Sequence, residues 1–395
     1  MNYILFDDTS WENLIPLTFT RPVAEIRIGI LTIREKWEKH LKTQVSFKTQ
    51  EYLSEKFLLK IENENCFING SIIPTKELIE KMNSLKIGEV LKQKNTVIAC
   101  KLSKSEAENF SFTNISELKA IEFESEIIKI DAPHQIFSLN EKAIEIDFKL
   151  LTEGRKSQKL SKTNNLLCEE NIFVEEGVQA EFATINAKNS FVYLGKDSEI
   201  MEGAVVRGSL ALCEHATLKI GAKIYGATTI GPHSKVGGEV SNAVIFGFSN
   251  KGHDGFIGNT VLGEWCNLGA DTNTSNLKNN YAPVRLWNYK SKNFAKTGLQ
   301  FCGLIMGDHS KCGINTMFNT GTVVGVNANI YGSGFPRNFV PDFSWGGSAG
   351  FQVYGMDKAL EVAQIVMQRR GVDLTDIDKK IMQHIFELTE EYRNF

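Results

Sequence analysis

A six-residue repeat of apolar side chains governs the middle of this sequence. Counting in sixes gives eight aliphatic residues without a break from Leu194 to Val236, and a second series of five apolar residues runs from Met306 to Ile330. Small residues mostly stand two positions before the anchors of the first series, and glycine often follows an anchor directly. Neither the helical period of 3.6 nor the strand period of 2 produces this register.

A parallel β-helix built from hexapeptide repeats does produce it. Each six-residue side puts one apolar side chain into the stack, and a tight turn follows. Coils must stack on one another because a single coil cannot bury its apolar side. The repeats predict a solenoid over residues 171–340, interrupted at 277–303 by a loop or small hairpin. Solenoids place such insertions on one face, which is often the binding face.

The flanking regions have other patterns. Residues 1–150 alternate short strand patterns with helical stripes, which predicts an α/β domain with an open sheet covered by helices. The polar residues 151–170 are interpreted as a connector. Residues 341–395 have helical spacing and an apolar stripe, which predicts a helical extension that packs on another element.

Charge and composition exclude several classes of function. The 395-residue chain has a net charge of −3 without a basic patch, so neither nucleic acid nor a membrane surface is an expected partner. No apolar run is long enough for a membrane span or a signal peptide. The seven cysteines are scattered and are expected to be reduced thiols, so we expect a cytoplasmic protein.

His253 is the residue best suited to catalysis. It lies between Gly252 and Gly255, where the register lapses for a turn and where another backbone or a ligand can approach closely. Asn and Thr are frequent over residues 267–276. A histidine among amides suits general-base work on an amine or hydroxyl, because imidazole titrates near neutral pH. No metal-ligand spacing is evident, so no metal site is predicted. The other solenoid histidines occupy repeat turns and are expected to be solvated: His215, His233 and His309.

Residues 249–276 resemble the acetyltransferase half of the bifunctional GlmU family, which joins a sugar-1-phosphate uridyltransferase to a glucosamine-1-phosphate acetyltransferase. The matching positions are Gly252-His253, Ile257-Gly258, Leu262-Gly263, Asn267-Leu268-Gly269-Ala270, Thr272, Thr274 and Asn276. The likeness covers roughly residues 171–335 and looks most like the archaeal sugar-nucleotide members. It implies a left-handed β-helix and a homotrimer, with acetyl-CoA as co-substrate in the cleft between neighbouring solenoids.

The same resemblance implies roles for individual residues. His253 would be the general base that takes a proton from a sugar amine. Asn267 and Asn276 would bind the sugar phosphate, and the backbone at Ala270 and Gly332 would line the acetyl-CoA site.

Three positions depart from the family pattern. The phosphate-binding Arg falls on Lys223, the Lys on Ser241 and the Tyr on Phe256. Losing a cation and a phenol weakens phosphate recognition. The expected acceptor is therefore an amino sugar phosphate or a nucleotide sugar, with Lys223 and Phe256 kept as substrate-binding candidates.

The N-terminal domain resembles sugar-1-phosphate nucleotidyltransferases in outline. Residues 16–22 match the family's Pro-Leu-Thr and Arg-Pro string, but Asp-Thr-Ser-Trp at 8–11 replaces the phosphate-loop glycines. The family's catalytic Arg, its Lys and its metal-binding Asp fall on Asn13, Val23 and Ser71.

Acidic side chains oppose a triphosphate unless Mg²⁺ intervenes, so Mg²⁺ is expected only if this domain is active. We interpret the domain as degenerate or altered, with Arg21, Asp7 and Asp8 as candidate nucleotide-binding residues.

Three functions stay open at this point. The first is an acetyl-CoA-dependent acyltransferase that uses His253. The second is a nucleotidyltransferase that makes a nucleotide sugar from UTP or dTTP through the altered N-terminal domain. The third is a non-catalytic protein that binds a nucleotide sugar.

Overall fold

The computed structural model describes residues 1–395, apart from the side chains of two residues, Thr113 and Ser116. The chain forms two compact units. The first contains Met1–Leu14, Thr20–Ile26 and Leu31–Asp131, and the second contains Ile15–Phe19, Arg27–Ile30 and Ala132–Phe395. Two short early segments thus belong to the same unit as the repeats. Within the described residues, no helix is both long and apolar enough to cross a membrane.

The first unit is an α/β domain around a six-stranded mixed sheet. Its strands lie in the spatial order Ser46–Lys48, Asn2–Phe6, Glu64–Asn69, Thr96–Ser103, Glu89–Gln93 and Lys119–Glu122. A separate antiparallel pair joins Ile72–Ile73 to Ile128–Lys129. The helices are Ser10–Asn13, Ile33–Leu41, Lys76–Asn83, Lys104–Glu108 and Phe112–Ser116. The α/β fold predicted from the alternating strand and helix patterns is confirmed.

Local signals explain where the longest of these helices begins and what it buries. The Thr32 hydroxyl accepts a hydrogen bond from the Glu35 N–H at 3.2 Å, and the Glu35 carboxylate accepts one from the Thr32 N–H at 2.7 Å. This reciprocal cap satisfies two N–H groups that would otherwise lack a partner. Trp37 is fully buried, and its indole N–H donates to the Ile72 carbonyl at 2.9 Å.

The second unit is a parallel β-solenoid with three faces. The first face stacks nine strands: Ile172–Val174, Val192–Leu194, Leu210–Leu212, Thr228–Ile230, Val244–Ile245, Val261–Leu262, Ile305–Met306, Val323–Val324 and Phe339–Val340. The second face stacks ten: Gln179–Ala180, Glu199–Ile200, Thr217–Leu218, Lys235–Val236, Asn250–Lys251, Asn267–Leu268, Lys311–Cys312, Asn329–Ile330, Ser344–Gly347 and Gly350–Val353. The third face contains Asn165–Leu167, Thr184–Asn186, Val205–Arg207, Lys223–Tyr225, Glu239–Ser241 and Phe256–Gly258, followed by Asn273–Thr274 and Met317–Phe318.

The hexapeptide anchors form the core of this solenoid, as predicted. Every one of the thirteen anchors is at most 5% exposed, and all belong to one continuous cluster. Glycine after an anchor lets coils stack closely. A Cβ atom on Gly195 would lie 2.8 Å from the Cys213 carbonyl carbon of the next coil. The fold class predicted from the repeats is confirmed, and its left-handed sense stays a prediction.

The six-residue register breaks one coil before the position predicted from the sequence, which was the turn at His253. Leu212 pairs with Ile230, eighteen residues on, whereas Ile230 pairs with Ile245, fifteen residues on. This coil is therefore three residues shorter than the one before it. Two of the three are missing at Gly237–Gly238, where two residues join Lys235–Val236 to Glu239–Ser241 and the corresponding turn of the preceding coil has four. The lapse therefore precedes the His253 turn by one coil.

The insertion and the C-terminus complete the second unit. Residues 277–303 form the predicted hairpin, with Arg285–Asn288 antiparallel to Asn293–Lys296. The helices Met356–Gln368 and Asp376–Leu388 confirm the predicted helical extension, and Pro133–Ser138 and Asn140–Thr152 also belong to this unit. Tyr392, after the last helix, packs edge-on against Tyr289 of the insertion at 5.2 Å between ring centroids. The insertion therefore packs against the C-terminal region.

Candidate functional site

His253 lies on a turn between the second and third faces, which we call the His253 loop (residues 252–255). It joins Asn250–Lys251 to Phe256–Gly258. The His253 side chain is exposed, and its imidazole has no hydrogen-bond or ionic partner among the described residues. Within one chain this histidine is therefore available to a ligand and is not held by a carboxylate.

The shortened turn of the preceding coil, Gly237–Gly238, packs against the His253 loop and sets its position. Gly238 has a φ of +71°, and a Cβ atom there would lie 2.7 Å from the Gly255 oxygen and 2.8 Å from both Asp254 Cα and the His253 oxygen. Only glycine allows this contact between backbones. The adjacent glycines Gly237 and Gly238 are the sequence signal for this contact.

A buried lysine supports the loop from inside the solenoid. Lys251 is 0% exposed, and its ammonium donates to the carbonyls of Gly237 at 3.3 Å, Asp254 at 2.9 Å and His253. Burial lowers the pKa of Lys251 to about 8, and the nearby carboxylates of Asp254 and Asp271 only partly oppose that shift. Lys251 was not predicted as a functional residue, because it stands at an anchor position where an apolar residue was expected.

Turns of successive coils form one continuous edge beside His253. The Asp271 N–H donates to the Asp254 carbonyl at 3.0 Å, and the Asn315 N–H donates to the Ala270 carbonyl at 2.8 Å. Gly332 follows the second-face strand Asn329–Ile330 farther along, with a φ of +99°. The structure thus places His253, Ala270 and Gly332 on turns that follow second-face strands.

The two candidate amides flank this edge. Asn267 is exposed on the second face, before the turn. Asn276 is half-buried just after the third-face strand Asn273–Thr274, and its side-chain N–H₂ donates to the Asn259 side-chain oxygen at 2.9 Å. Asn267 is therefore open to a ligand, whereas Asn276 already has a partner within the chain.

The outer side of the third face has a different charge pattern from the expected one. Val205, Lys223, Glu239 and Phe256 stand opposite one another on successive strands. Ser241 follows Lys223 by eighteen residues, the length of a regular coil, but the shortened turn sets Glu239 opposite Lys223 and Ser241 opposite Tyr225. A carboxylate therefore lies between Lys223 and Phe256, and the Tyr225 hydroxyl donates to it at 2.6 Å.

An open cavity of about 920 Å³ lies on this face, and Lys223 lines it together with Arg207, Tyr225 and Glu239. Lys188 also lines the cavity, so three cations and one carboxylate give it a mixed charge, which suits a ligand with both anionic and hydrogen-bonding groups.

The other solenoid histidines depart from the expectation of simple solvation. They join a column of stacked rings on the turns between the first and second faces, formed by His215, His233, Phe248, Trp265 and His309. His309 is only 6% exposed, so the prediction that it is solvated is wrong. Ring stacking at successive turns accounts for these residues without a catalytic role.

In the first unit, the candidate nucleotide-binding acids are engaged by protein donors. The Asp8 carboxylate forms an ion pair with Lys129 at 3.1 Å, and the same ammonium lies 3.3 Å from Asp131. Burial acts to raise the pKa of Asp8, but Lys129 and hydrogen bonds from Asn69 and Ser10 outweigh it and lower the pKa.

Asp7 and Arg21 are also turned toward the protein. Asp7 accepts hydrogen bonds from the Val23 N–H at 2.9 Å and the Thr49 hydroxyl at 2.6 Å, and burial raises its pKa to about 7. Arg21 is 5% exposed. Among the described residues, no group of three or more His, Cys, Asp or Glu side chains could hold a metal ion. A lysine between Asp8 and Asp131 does not fit Mg²⁺ coordination, because the ammonium already occupies their oxygens.

Comparison with known proteins supports both halves of this description. Residues 3–156 match the model of a family described as sugar nucleotidyl transferase. A bifunctional sugar-1-phosphate nucleotidylyltransferase/acetyltransferase of Sulfurisphaera tokodaii is 27% identical over 377 residues, which cover 82% of this chain and 94% of that protein. The bifunctional protein GlmU of Methanocaldococcus jannaschii is 37% identical over 92 residues, so the match spans only 22% of that protein and 23% of this chain.

Among solved structures, a UDP-N-acetylglucosamine acyltransferase of Bacteroides fragilis aligns with 60% of this chain and 84% of its own, at 15% identity and a TM-score of 0.27. The resemblance to GlmU-like bifunctional proteins expected from the sequence is confirmed by the sequence relatives, which are transferases.

Proposed function

We propose that the solenoid transfers an acyl group, acetyl in the first instance, from acyl-CoA to the amine of an amino sugar phosphate or nucleotide sugar. The observation that carries this proposal is the His253 loop, in which an exposed imidazole projects from a turn fixed by Gly238 and Lys251. The bifunctional relative that matches 82% of the chain includes an acetyltransferase in its description, which supports the same reaction class.

In the proposed reaction the acceptor amine attacks the thioester carbonyl, and His253 takes the proton that the nitrogen loses. The carbon–sulfur bond then breaks, and the departing thiolate of CoA receives that proton. Holding amine and thioester together supplies much of the rate, and the base adds to it.

Direct transfer fits the cysteines better than an acyl-enzyme does. Six of the seven cysteines are buried and the seventh, Cys168, is half-buried. Burial raises the pKa of Cys266 and of Cys302, which disfavours the thiolate needed for attack.

The binding roles follow the edge on which His253 lies. We assign the acyl-CoA to the backbone of Ala270 and Gly332, and the acceptor to Asn267, Phe256 and Lys223. Asn276 would bind the acceptor only if its contact with Asn259 opens. A homotrimer, with the cleft between two solenoids as the site, remains part of this proposal, as does a cytoplasmic location.

The test is release of free CoA from acetyl-CoA in the presence of amino sugars, their 1-phosphates and their nucleotide-linked forms. We expect His253→Ala to lower turnover by about 10²–10⁴-fold while the protein stays folded. Unchanged turnover in this variant would refute the assignment of the base. No release with any acceptor, together with a raised Tm in the presence of a nucleotide sugar, would favour a binding protein instead.

Nucleotidyl transfer by the first unit is a second candidate, favoured by the family match over residues 3–156. The Asp8–Lys129–Asp131 contacts oppose it, since a lysine ammonium lies against carboxylate oxygens that a metal–nucleotide complex would need. Pyrophosphate release from UTP or dTTP with a panel of sugar 1-phosphates tests it, and the absence of release with every nucleotide would reject it.

A further inference from the structure

Lys251 stands where the solenoid has an apolar side chain in its other coils. It pairs with Val236 on the preceding strand, and the pairing of Asn250 with Asn267 sets it level with Leu268 on the following one. The neighbouring anchors of this face are buried and uncharged, including Leu218, Val236 and Leu268. Lys251 has no carboxylate within ion-pair distance in the described part of the chain. A buried charge without an ion pair costs stability, so the fold alone would favour leucine here.

The Lys251 ammonium instead donates hydrogen bonds to backbone carbonyls of two adjacent turns. Two of its three acceptors, the carbonyls of His253 and Asp254, belong to the His253 loop, and the third belongs to the shortened turn below it at Gly237. These contacts hold two successive peptide groups of the loop with their oxygens toward the Lys251 ammonium, and the Asp271 N–H of the next coil also donates to the Asp254 carbonyl.

The direction of these carbonyls also fixes the direction of the N–H groups in the same peptide units. In a trans peptide the C=O and N–H bonds point in opposite directions. The N–H groups of Asp254 and Gly255 therefore point away from the Lys251 ammonium. Neither N–H has an acceptor among the described residues. Adjacent unpaired N–H groups form a favourable site for an anionic oxygen.

We propose that Lys251 is a positioning residue for acyl transfer. By holding the carbonyls of His253 and Asp254 inside the solenoid, it presents the His253 imidazole to the acceptor amine. The same contacts present the N–H groups of Asp254 and Gly255 to the oxyanion that forms when the amine attacks the thioester. The inference depends on the proposed function of His253.

The test replaces Lys251 with the residue that the fold prefers. Lys251→Leu should fold with an unchanged or higher Tm, because an aliphatic anchor replaces a buried ammonium. Its kcat should nevertheless fall at least about 10-fold, with KM for acyl-CoA within about two-fold of the parent, since the loop loses the donor that orients it. Lys251→Met, which keeps the unbranched length, serves if the leucine variant does not fold.

Lys311 provides a matched control. Burial also lowers its pKa to about 8, but its ammonium donates to the His309 carbonyl at 2.7 Å, on a different edge of the solenoid. Lys311→Leu should leave kcat unchanged. An unaltered kcat in folded Lys251→Leu would overturn the inference, and so would equal losses in both leucine variants. If His253→Ala kept full turnover, the proposed function itself would fail, whatever Lys251→Leu showed.

Discussion

Replacing Gly238 with alanine should displace the His253 loop, because the loop backbone packs directly on this glycine. The new Cβ atom would lie 2.7 Å from the Gly255 oxygen and 2.8 Å from the His253 oxygen, both well inside van der Waals distance. A side chain at a φ of +71° adds strain of its own.

The loss of stability in Gly238→Ala follows from the backbone strain and the close contact together. The left-handed backbone conformation costs about 1 kcal/mol for alanine, and overpacking costs about 1–3 kcal/mol more if the surroundings do not move. The outer side of the loop is open to solvent at His253. We therefore expect the loop to shift outward, so that stability falls by less than the sum of about 2–4 kcal/mol. Turnover should fall by about 10²-fold, because catalysis tolerates little misplacement.

Gly221 is a control position that separates the effect of backbone strain from that of displacing the His253 loop. It occupies the corresponding turn one coil earlier with a φ of +67°, and a Cβ atom there would meet nothing within 4 Å. Gly221→Ala should cost about 1 kcal/mol and leave turnover unchanged. The assay is CoA release at saturating substrate, with denaturant unfolding of each variant. Equal turnover in Gly221→Ala and Gly238→Ala would refute the idea that this contact sets the position of His253.

Two further predictions follow from charge. Burial raises the pKa of Asp7 from 3.8 to about 7, so the folded state binds this proton more tightly than the unfolded state does. The free energy of unfolding of the first unit should therefore rise by at most about 3 kcal/mol as the pH falls from 8 to 5. Asp7→Asn should remove that pH dependence in thermal unfolding, and an unchanged slope would contradict it. Glu239→Lys should lower KM for a phosphorylated acceptor about 10-fold through a new cation beside Lys223, without changing KM for acyl-CoA; Glu239→Gln is the control. An unaltered KM for the acceptor would remove the third face from the acceptor site.

The solenoid could be predicted from the sequence because its constraint is local and repeated. Each anchor such as Leu212 or Ile230 is placed by a spacing of six, whatever happens elsewhere in the chain. All such anchors are buried. The same pattern located the insertion, since residues 277–303 lack the repeat and a new series of sixes begins at Met306.

What escaped prediction depends on departures from that repeat. Losing two residues at Gly237–Gly238 changes which side chains stand opposite one another, so Glu239 replaces Ser241 beside Lys223. A sequence comparison that allows no gaps cannot detect this shift. Lys251 was missed for a related reason. A lysine is ordinarily expected to be exposed, so its occupation of a buried anchor position could not be inferred from the repeat.

The contacts in the first unit were missed because they join distant parts of the chain. Lys129 meets Asp8 across more than a hundred residues, through the pairing of Ile72–Ile73 with Ile128–Lys129. No local spacing connects these positions. The candidates Asp7 and Asp8 were found as acids after a strand, but their engagement by Thr49 and Lys129 became visible only in the structure.

Mass analysis of the acceptor after incubation with acetyl-CoA tests the central claim most directly, because it detects the new bond itself. We predict that one member of the amino sugar panel gains a single acetyl group on nitrogen, and that His253→Ala fails to form this product while staying folded. CoA release without an acetylated acceptor, or an equal yield from His253→Ala, would contradict acyl transfer by this site.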